Sequence, residues 1–275
     1  MLTYNSIRGE FIVELIKEPK VEIIDFIRPD ESTTDIIDLQ LFKVYAGYRR
    51  CYSAEDDIFK FPGMEEISNE GCLTNLTHEK ISEFIRRMRK SPHTSPLEHG
   101  TMTVHVSDVS RSAINQWVRH RIANHSQKSL RYTDSANLKF CIPESVLKNE
   151  KLLLKWIDHL EATERLYNES LSEEYNIPKE DARAILPMNT STSIVTTMNF
   201  SAWIHFFNVR CCNRAQKEIR IIANAILKAA KIAYPCIFEN VGPSCIGING
   251  KFKGCPEEHP CGHPPIDKDK NVLIS

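Results

Sequence analysis

The sequence predicts an α+β fold with a mixed or antiparallel sheet and long helices. Alternating apolar residues in TMTVHVSDV (residues 101–109) and the β-branched run STSIVTTMNF (residues 191–200) predict strands. Helical spacing of apolar residues predicts the helices, which do not alternate with strands in the regular order that a parallel sheet requires. A chain of 275 residues is long enough to bury a substantial core.

The first third of the chain is predicted to hold a strand pair and two helices. EFIVELI (residues 10–16) and VEIIDFI (residues 21–27) flank a break at KEPK, which is typical of neighbouring strands. THEKISEFIRRMRKS (residues 77–91) predicts a helix that Thr77 can cap, and PHTSPLEHG (residues 92–100) predicts a loop. The apolar residues at helical spacing in these two helices are Leu41, Val44, Tyr45 and Tyr48 in the first, and Ile81, Phe84, Ile85 and Met88 in the second.

The remainder of the chain is predicted to be mainly helical. The predicted helices cover residues 109–123, 144–175, 178–187 and about 203–234. Pro187 ends the third of them, because proline disrupts a helix interior. The tail has no periodicity, so we divide the chain into a main domain, residues 1–235, and a Cys/His-rich tail, residues 236–275.

Composition excludes several classes of protein. The net charge of −1 argues against a protein that coats nucleic acid. No apolar run approaches the length of a membrane span, and the N-terminus carries charges where a signal peptide has an apolar core. Nine cysteines, an odd number, favour reduced thiols and a cytoplasmic location.

The segment WVRHRIANHSQKSLRYTD (residues 117–134) concentrates positive charge. Successive residues on a helix are about 100° apart, so Arg121 falls on the apolar stripe where a guanidinium needs a partner. The residues of this stripe, which we expect to be buried, are Ile114, Trp117, Val118 and Ile122. Arg119 and Arg121 point roughly 200° apart, which predicts two ligands, or one ligand and a structural carboxylate. Two surface arginines with a core salt bridge remain the alternative.

Hydrogen-bonding side chains follow in a segment that we expect to be irregular: Ser126, Gln127, Lys128, Ser129 and Arg131. Backbone N–H groups, hydroxyls and a guanidinium in such a segment are suited to a phosphate and a planar, amide-like base.

Arg119-His120-Arg121, followed after seven residues by Ser129, resembles the RHR-x7-S signature of the flavin-dependent thymidylate synthases. PHTSPLEH, ARAILP and MNFSAWIHFFNVRCCNRAQKEI are similar to further segments of that family, in family order over approximately residues 20–235. The resemblance implies reductive methylation of dUMP with 5,10-methylenetetrahydrofolate, FAD and NADPH. It also implies a homotetramer with active sites between subunits, and no nucleic acid or membrane partner.

The resemblance implies a role for each matching position. The implied dUMP contacts are Gln116, Arg119, Gln127, Lys128, Ser129, Leu130, Arg131, Arg183 and Arg210. The implied FAD and folate contacts are His93, Ser95, Arg119, His120, Arg121, Gln127, Asn199 and His205. Arg210, at the uracil edge, is the implied catalytic residue. Phe200-Ser201 and His205 depart from the family pattern in the flavin region.

Physical alternatives accompany some of these residues. Arg210 and Arg214 are four apart on one predicted helix, a like-charge pair that a bound anion would offset. Arg183 could instead form an exposed ion pair with Glu180, and His93 could be a solvated loop residue. Ser129 and His125 could mimic a Ser–His pair, but no third group orients the base. We therefore interpret Ser129 as a ligand contact, because flavin hydride chemistry needs no protein nucleophile.

Cysteines and histidines crowd the tail without a Cys-x2-Cys pair, so we predict no metal, with Cys245, Cys255 and Cys261 as weak zinc candidates. Two other functions stay open. One is a nucleic-acid-binding protein that uses the RHR helix and a metal-binding tail. The other is a flavoprotein of the same fold that only oxidises NADPH.

Overall fold

The computed structural model describes residues 14–16, 20–23, 38–52, 77–132 and 138–262. Packing divides the chain into two compact units. The first unit consists of residues 1–22, 105–121 and 125–196, and the second of residues 23–104, 122–124 and 197–275. Parts of the two predicted N-terminal strands, and the tail beyond residue 262 with His263, lie outside the described residues.

The described strands form two sheets. Their bounds are β1 Glu14–Ile16, β2 Lys20–Ile23, β3 Thr101–Ser110, β4 Asn124–Gln127, β5 Lys139–Cys141 and β6 Ser191–Asn199. The larger sheet has the order β2-β3-β6-β4, and β1 pairs in parallel with β5. Hydrogen bonds join Thr103 to Thr197 and the Arg111 amide to the Thr190 carbonyl. β3 and β6 are therefore antiparallel, since residue numbers rise along one and fall along the other.

The prediction that the two N-terminal strands pair with each other is wrong. β1 and β2 are both strands, but β1 pairs with β5 while β2 lies beside β3. Alternation of apolar residues sets the face that a strand buries and leaves its partner undetermined.

The helices are α1 Leu39–Tyr52, α2 His78–Met88, α3 Arg111–Trp117, α4 Glu144–Leu147, α5 Glu150–Ser170, α6 Lys179–Ala182, α7 Phe200–Arg210, α8 Lys217–Ala233 and α9 Pro235–Phe238. The predicted apolar face of α1 is confirmed, because Leu41, Val44, Tyr45 and Tyr48 are buried. The Thr77 hydroxyl caps α2 by accepting from the Lys80 amide at 3.3 Å. Residues 92–100 contain a short 3-10 helix, Ser95–Glu98, where the sequence predicted only a loop.

The predicted basic helix is shorter than its periodicity indicated. It begins where the Ser110 hydroxyl accepts from the Ala113 amide at 3.1 Å, and it ends at Trp117. Val118 and Ile122 are exposed rather than buried, and Arg121 is exposed with them. The argument that Arg119 and Arg121 diverge around one helix is therefore wrong, because neither residue is helical. The segment after them is the strand β4 as far as Gln127, so the prediction of irregular chain is wrong there, but residues 128–131 are irregular as predicted.

The predicted long C-terminal helix is two helices. α7 ends at Arg210, and α8 begins at Lys217 after Gln216 caps it by accepting from the Ile219 amide at 3.1 Å. Aromatic residues fix α7 in the core of the second unit: Trp203, Phe206 and Phe207 are fully buried. None of the described helices is long and apolar enough to cross a membrane.

Candidate functional site

Five polar residues of the first unit form what we call the Arg111 cluster: Arg111, Ser129, Arg131, Glu180 and Arg183. The Arg131 guanidinium forms an ion pair with the Glu180 carboxylate. Arg183 donates from Nε to the Glu180 carbonyl at 3.1 Å. The Ser129 hydroxyl accepts from the Arg131 amide at 3.1 Å. Three of the implied dUMP contacts, Ser129, Arg131 and Arg183, thus come together. Glu180 binds Arg131 rather than Arg183 through its carboxylate.

Arg111 is the residue of this cluster that sequence reasoning missed. It follows β3 directly, and its Nη2 lies 3.5 Å from the Lys128 carbonyl. Its Nε is buried and has no hydrogen-bond partner among the described residues. Burial, and then the neighbouring positive charge of Arg183, lower the pKa of Arg111. A partly buried guanidinium beside a second cation is stabilised by an anion, and a phosphate group has the matching chemistry.

The RHR residues lie in an exposed turn between α3 and β4. Arg119 and Arg121 are exposed, and His120 is half-buried. The imidazole of His125 holds this turn, since Nδ1 bonds the Thr196 hydroxyl at 2.9 Å and Nε2 bonds the His120 carbonyl at 3.3 Å. Both ring nitrogens of His125 are therefore engaged, which argues against His125 as a base for Ser129.

Most of the other implied nucleotide contacts lie on β4 or directly after it, and Gln116 lies on α3. The Lys128 amide donates to the Ser193 carbonyl at 2.9 Å, which fixes the end of this strand against β6. The Gln127 side chain is exposed and reaches the Thr192 hydroxyl at 3.5 Å. The Leu130 side chain is buried, with 6% of its surface exposed, and it anchors the chain between Ser129 and Arg131. Gln116 lies half-buried on α3.

A second group, in the second unit, consists of Tyr48, Tyr52, His93 and Ser95, which we call the His93 cluster. Hydrogen bonds join His93 Nδ1 to the Tyr52 hydroxyl at 2.9 Å and Nε2 to the Ser95 hydroxyl at 2.8 Å. The buried Tyr48 donates to the His93 carbonyl at 3.2 Å. The alternative of a merely solvated loop histidine is wrong. The imidazole has a fixed orientation and is half-exposed, which suits stacking against a planar ring.

The implied site residues on α7 differ in their surroundings. Asn199 caps the helix by accepting from the Ala202 amide at 2.8 Å, while His205 is exposed. Arg210 is half-buried at the C-terminal end of the helix, and burial lowers its pKa. Arg214 lies beyond the helix and donates to the His259 carbonyl. The predicted like-charge pair on one helix face is therefore wrong, because the helix ends between the two arginines.

The cysteines of the described part of the chain are free thiols, eight in number. Burial raises the pKa of Cys245, and the neighbouring Cys255, Cys212 and Cys261 raise it further. Within the residues that the structure describes, no three His, Cys, Asp or Glu side chains are placed to hold a metal ion.

Comparison with known proteins identifies the family. The thymidylate synthase complementing protein family matches residues 40–236. The flavin-dependent thymidylate synthase of Nitratidesulfovibrio vulgaris is 33% identical over 257 residues, covering 90% of this chain and 96% of that protein. The enzyme of the same name from Pyrococcus furiosus is 39% identical over 204 residues, covering 70% and 81%. The chain therefore belongs to the thymidylate synthase complementing protein family.

Proposed function

We propose that the chain is a flavin-dependent thymidylate synthase, an enzyme that methylates dUMP to dTMP with 5,10-methylenetetrahydrofolate, FAD and NADPH. The observation that carries the proposal is the Arg111 cluster beside the RHR-x7-S segment. The cluster offers a buried guanidinium nitrogen that has no partner among the residues the structure describes, a second arginine and a serine hydroxyl. These groups match the chemistry of a nucleotide phosphate.

Residues of the chain divide the work on the nucleotide. The phosphate is held by Arg111, Arg183, Ser129 and Arg131. The Arg131 guanidinium binds the phosphate either in place of the Glu180 carboxylate or together with it. Gln116, Arg119, Gln127, Lys128 and Leu130 complete the nucleotide contacts. Arg210 donates hydrogen bonds to the uracil edge, where negative charge develops when C6 accepts hydride.

The His93 cluster fits a planar cofactor, because the imidazole is fixed by two side chains and offers an exposed edge and face. His93, Ser95, Arg119, His120, Arg121, Gln127, Asn199 and His205 are the residues that would hold FAD and folate. Bound FAD supplies the hydride, which NADPH provides in turn. The role of the protein is binding, orientation and electrostatic stabilisation.

No serine nucleophile takes part in the proposed reaction. Ser129 Oγ accepts from the Arg131 amide, and both nitrogens of His125 are engaged elsewhere. The assignment of residues 1–235 as the catalytic domain, a homotetramer with active sites between subunits and a cytoplasmic location belong to the same proposal.

Tritium release from 5-tritiated dUMP, with NADPH, FAD and methylenetetrahydrofolate present, tests the reaction. We expect release that depends on all four compounds and dTMP as the product. NADPH oxidation without dTMP would favour a flavoprotein that only oxidises NADPH. A purified protein that binds no flavin would contradict both enzymatic functions.

A further inference from the structure

A cavity of about 520 Å³ lies in the second unit between α2 and the chain that follows α8. Six charged side chains line it: Glu83, Arg86, Arg87, Arg89, Lys90 and Glu239. Much of the lining comes from residues after 236, where the family match ends, so the cavity includes a part of the chain that the family match does not cover.

Positive charge exceeds negative charge in this cavity. Arg86 donates from Nε to Glu239 Oε2 at 3.3 Å, and both side chains are partly exposed. Burial lowers the pKa of Arg89, and three titratable groups of the described residues counteract this: Tyr48, Cys236 and the same carboxylate, Glu239. The other two neighbours, Tyr48 and Cys236, are neutral near pH 7, since burial raises the pKa of both. Glu239 therefore serves both Arg86 and Arg89, and with Glu83 it makes two carboxylates against four cations in the cavity lining.

A third cation depends on the same glutamate. Burial lowers the pKa of Lys231, and the carboxylate that counteracts this shift, within the described residues, is Glu239. The Lys231 ammonium nitrogen is buried without a hydrogen-bond partner among the described residues. Like charges held close together destabilise the fold unless an anion offsets them.

The wall opposite α2 is a defined structure. Asn240 and Asn249 contribute amide side chains to the cavity. Gly250 has a φ of +74°, and a Cβ atom there would lie 2.6 Å from Asn240 Oδ1. Asn249 Oδ1 accepts from the Lys251 amide at 3.0 Å and fixes the turn. The glycine thus permits the close packing against Asn240, and the turn at Asn249 holds the second amide.

We propose that this cavity binds a small organic anion that carries at least two phosphate or carboxylate groups. Guanidinium groups bind both oxyanions through paired, charge-assisted hydrogen bonds. In this proposal Arg89 binds the first anionic group, and Arg87 and Lys90, which line the cavity and are exposed, bind the second. The amides of Asn240 and Asn249 complete the contacts.

Isothermal titration of the full chain tests the site with two probes, tripolyphosphate and tetra-γ-glutamate, each in the presence of saturating dUMP. The double variant Arg87→Gln/Lys90→Gln removes two exposed charges. The matched control, Arg165→Gln/Lys228→Gln, removes two exposed charges elsewhere. We expect one-site binding of at least one probe, weakened tenfold or more by the first variant and less than twofold by the control.

The preferred probe distinguishes phosphate from carboxylate ligands. Saturable binding of neither probe would overturn the proposal. An equal loss of affinity in the control would do so too, because it would reveal attraction to the net charge of the protein. Titration does not depend on catalysis, so an inactive enzyme that retains probe binding would contradict the proposed reaction and leave this site in place.

Discussion

The Arg111 cluster and the His93 cluster satisfy their polar atoms in opposite ways. In the His93 cluster, each imidazole nitrogen has a side-chain partner within 3 Å, at 2.9 and 2.8 Å, and a tyrosine holds the backbone. In the Arg111 cluster, a buried guanidinium nitrogen has no hydrogen-bond partner in the described part of the chain and lies near a second cation. The imidazole of the His93 cluster is thus hydrogen-bonded without a ligand, whereas the Arg111 cluster is stabilised when an anionic ligand binds.

This difference teaches what each cluster does for binding. A side chain that is held by its neighbours is preorganised, so a ligand gains affinity because less entropy is lost on binding. A cationic cluster that lacks an anion gains Coulomb energy only when the anion arrives. Substitutions in the Arg111 cluster should therefore change ligand affinity first, and substitutions in the His93 cluster should change stability first.

Substitution of Arg210 should give the largest change in rate. It tests the comparison, because Arg210 is a cation that lies in the same unit as the His93 cluster and not in the Arg111 cluster. We expect Arg210→Ala to lower the single-turnover methylation rate roughly a hundred- to thousandfold, as loss of an oxyanion donor does. The affinity for dUMP should fall less. Arg210→Lys should rescue poorly, since it keeps the charge and loses the planar fork.

Single-turnover product formation and dUMP titration by flavin absorbance would measure both quantities. Arg214→Ala is the matched control, because Arg214 donates to the His259 carbonyl outside the implied site. A loss confined to dUMP affinity, with an unchanged rate at saturation, would reduce Arg210 to a binding residue.

Arg111→Gln should weaken dUMP binding roughly ten- to hundredfold, because a hydrogen bond to a charged group contributes about 1.5–3 kcal/mol. Without ligand, the melting temperature should stay the same or rise, since a partly buried cation beside Arg183 is removed. Titration calorimetry and thermal melts check the two effects. Arg165→Gln, an exposed substitution on α5, is the control. A large loss of stability without ligand would mean that Arg111 is structural.

Ser129→Ala should weaken dUMP binding by roughly tenfold, near the lower end of the range for a hydrogen bond to a charged group. Turnover at saturating dUMP should persist, because the hydroxyl binds and does not attack. Steady-state kinetics separates KM from kcat. Abolished turnover with flavin still bound would revive Ser129 as a nucleophile.

Tyr52→Phe should give the smallest effect. It removes the hydrogen bond to His93 Nδ1, which costs about 1 kcal/mol of unfolding free energy. The affinity for dUMP should not change, whereas flavin affinity should fall slightly as the imidazole loses its fixed orientation. Denaturant unfolding and flavin titration measure these changes. An effect on dUMP affinity larger than that on stability would contradict the contrast between the clusters.

Much of the fold followed from short-range patterns in the sequence. Alternation in residues 101–109 and 191–200 predicted β3 and β6, and the apolar spacing of Leu41 to Tyr48 predicted α1. Such patterns are reliable because burial repeats with the period of the element itself. The same patterns predicted helix beyond the two observed helix ends at Trp117 and Arg210, since apolar side chains continue past the last helical turn.

The candidate site was determined partly by sequence and partly by tertiary structure. The sequence alone determined the RHR-x7-S segment and the family, because residue identity and spacing are local properties. Only the tertiary structure decided that Arg111 lies near Arg183 and that both nitrogens of His93 are held by Tyr52 and Ser95. Pairing of distant strands and packing of helices bring such residues together, and no short pattern in the chain encodes those long-range contacts.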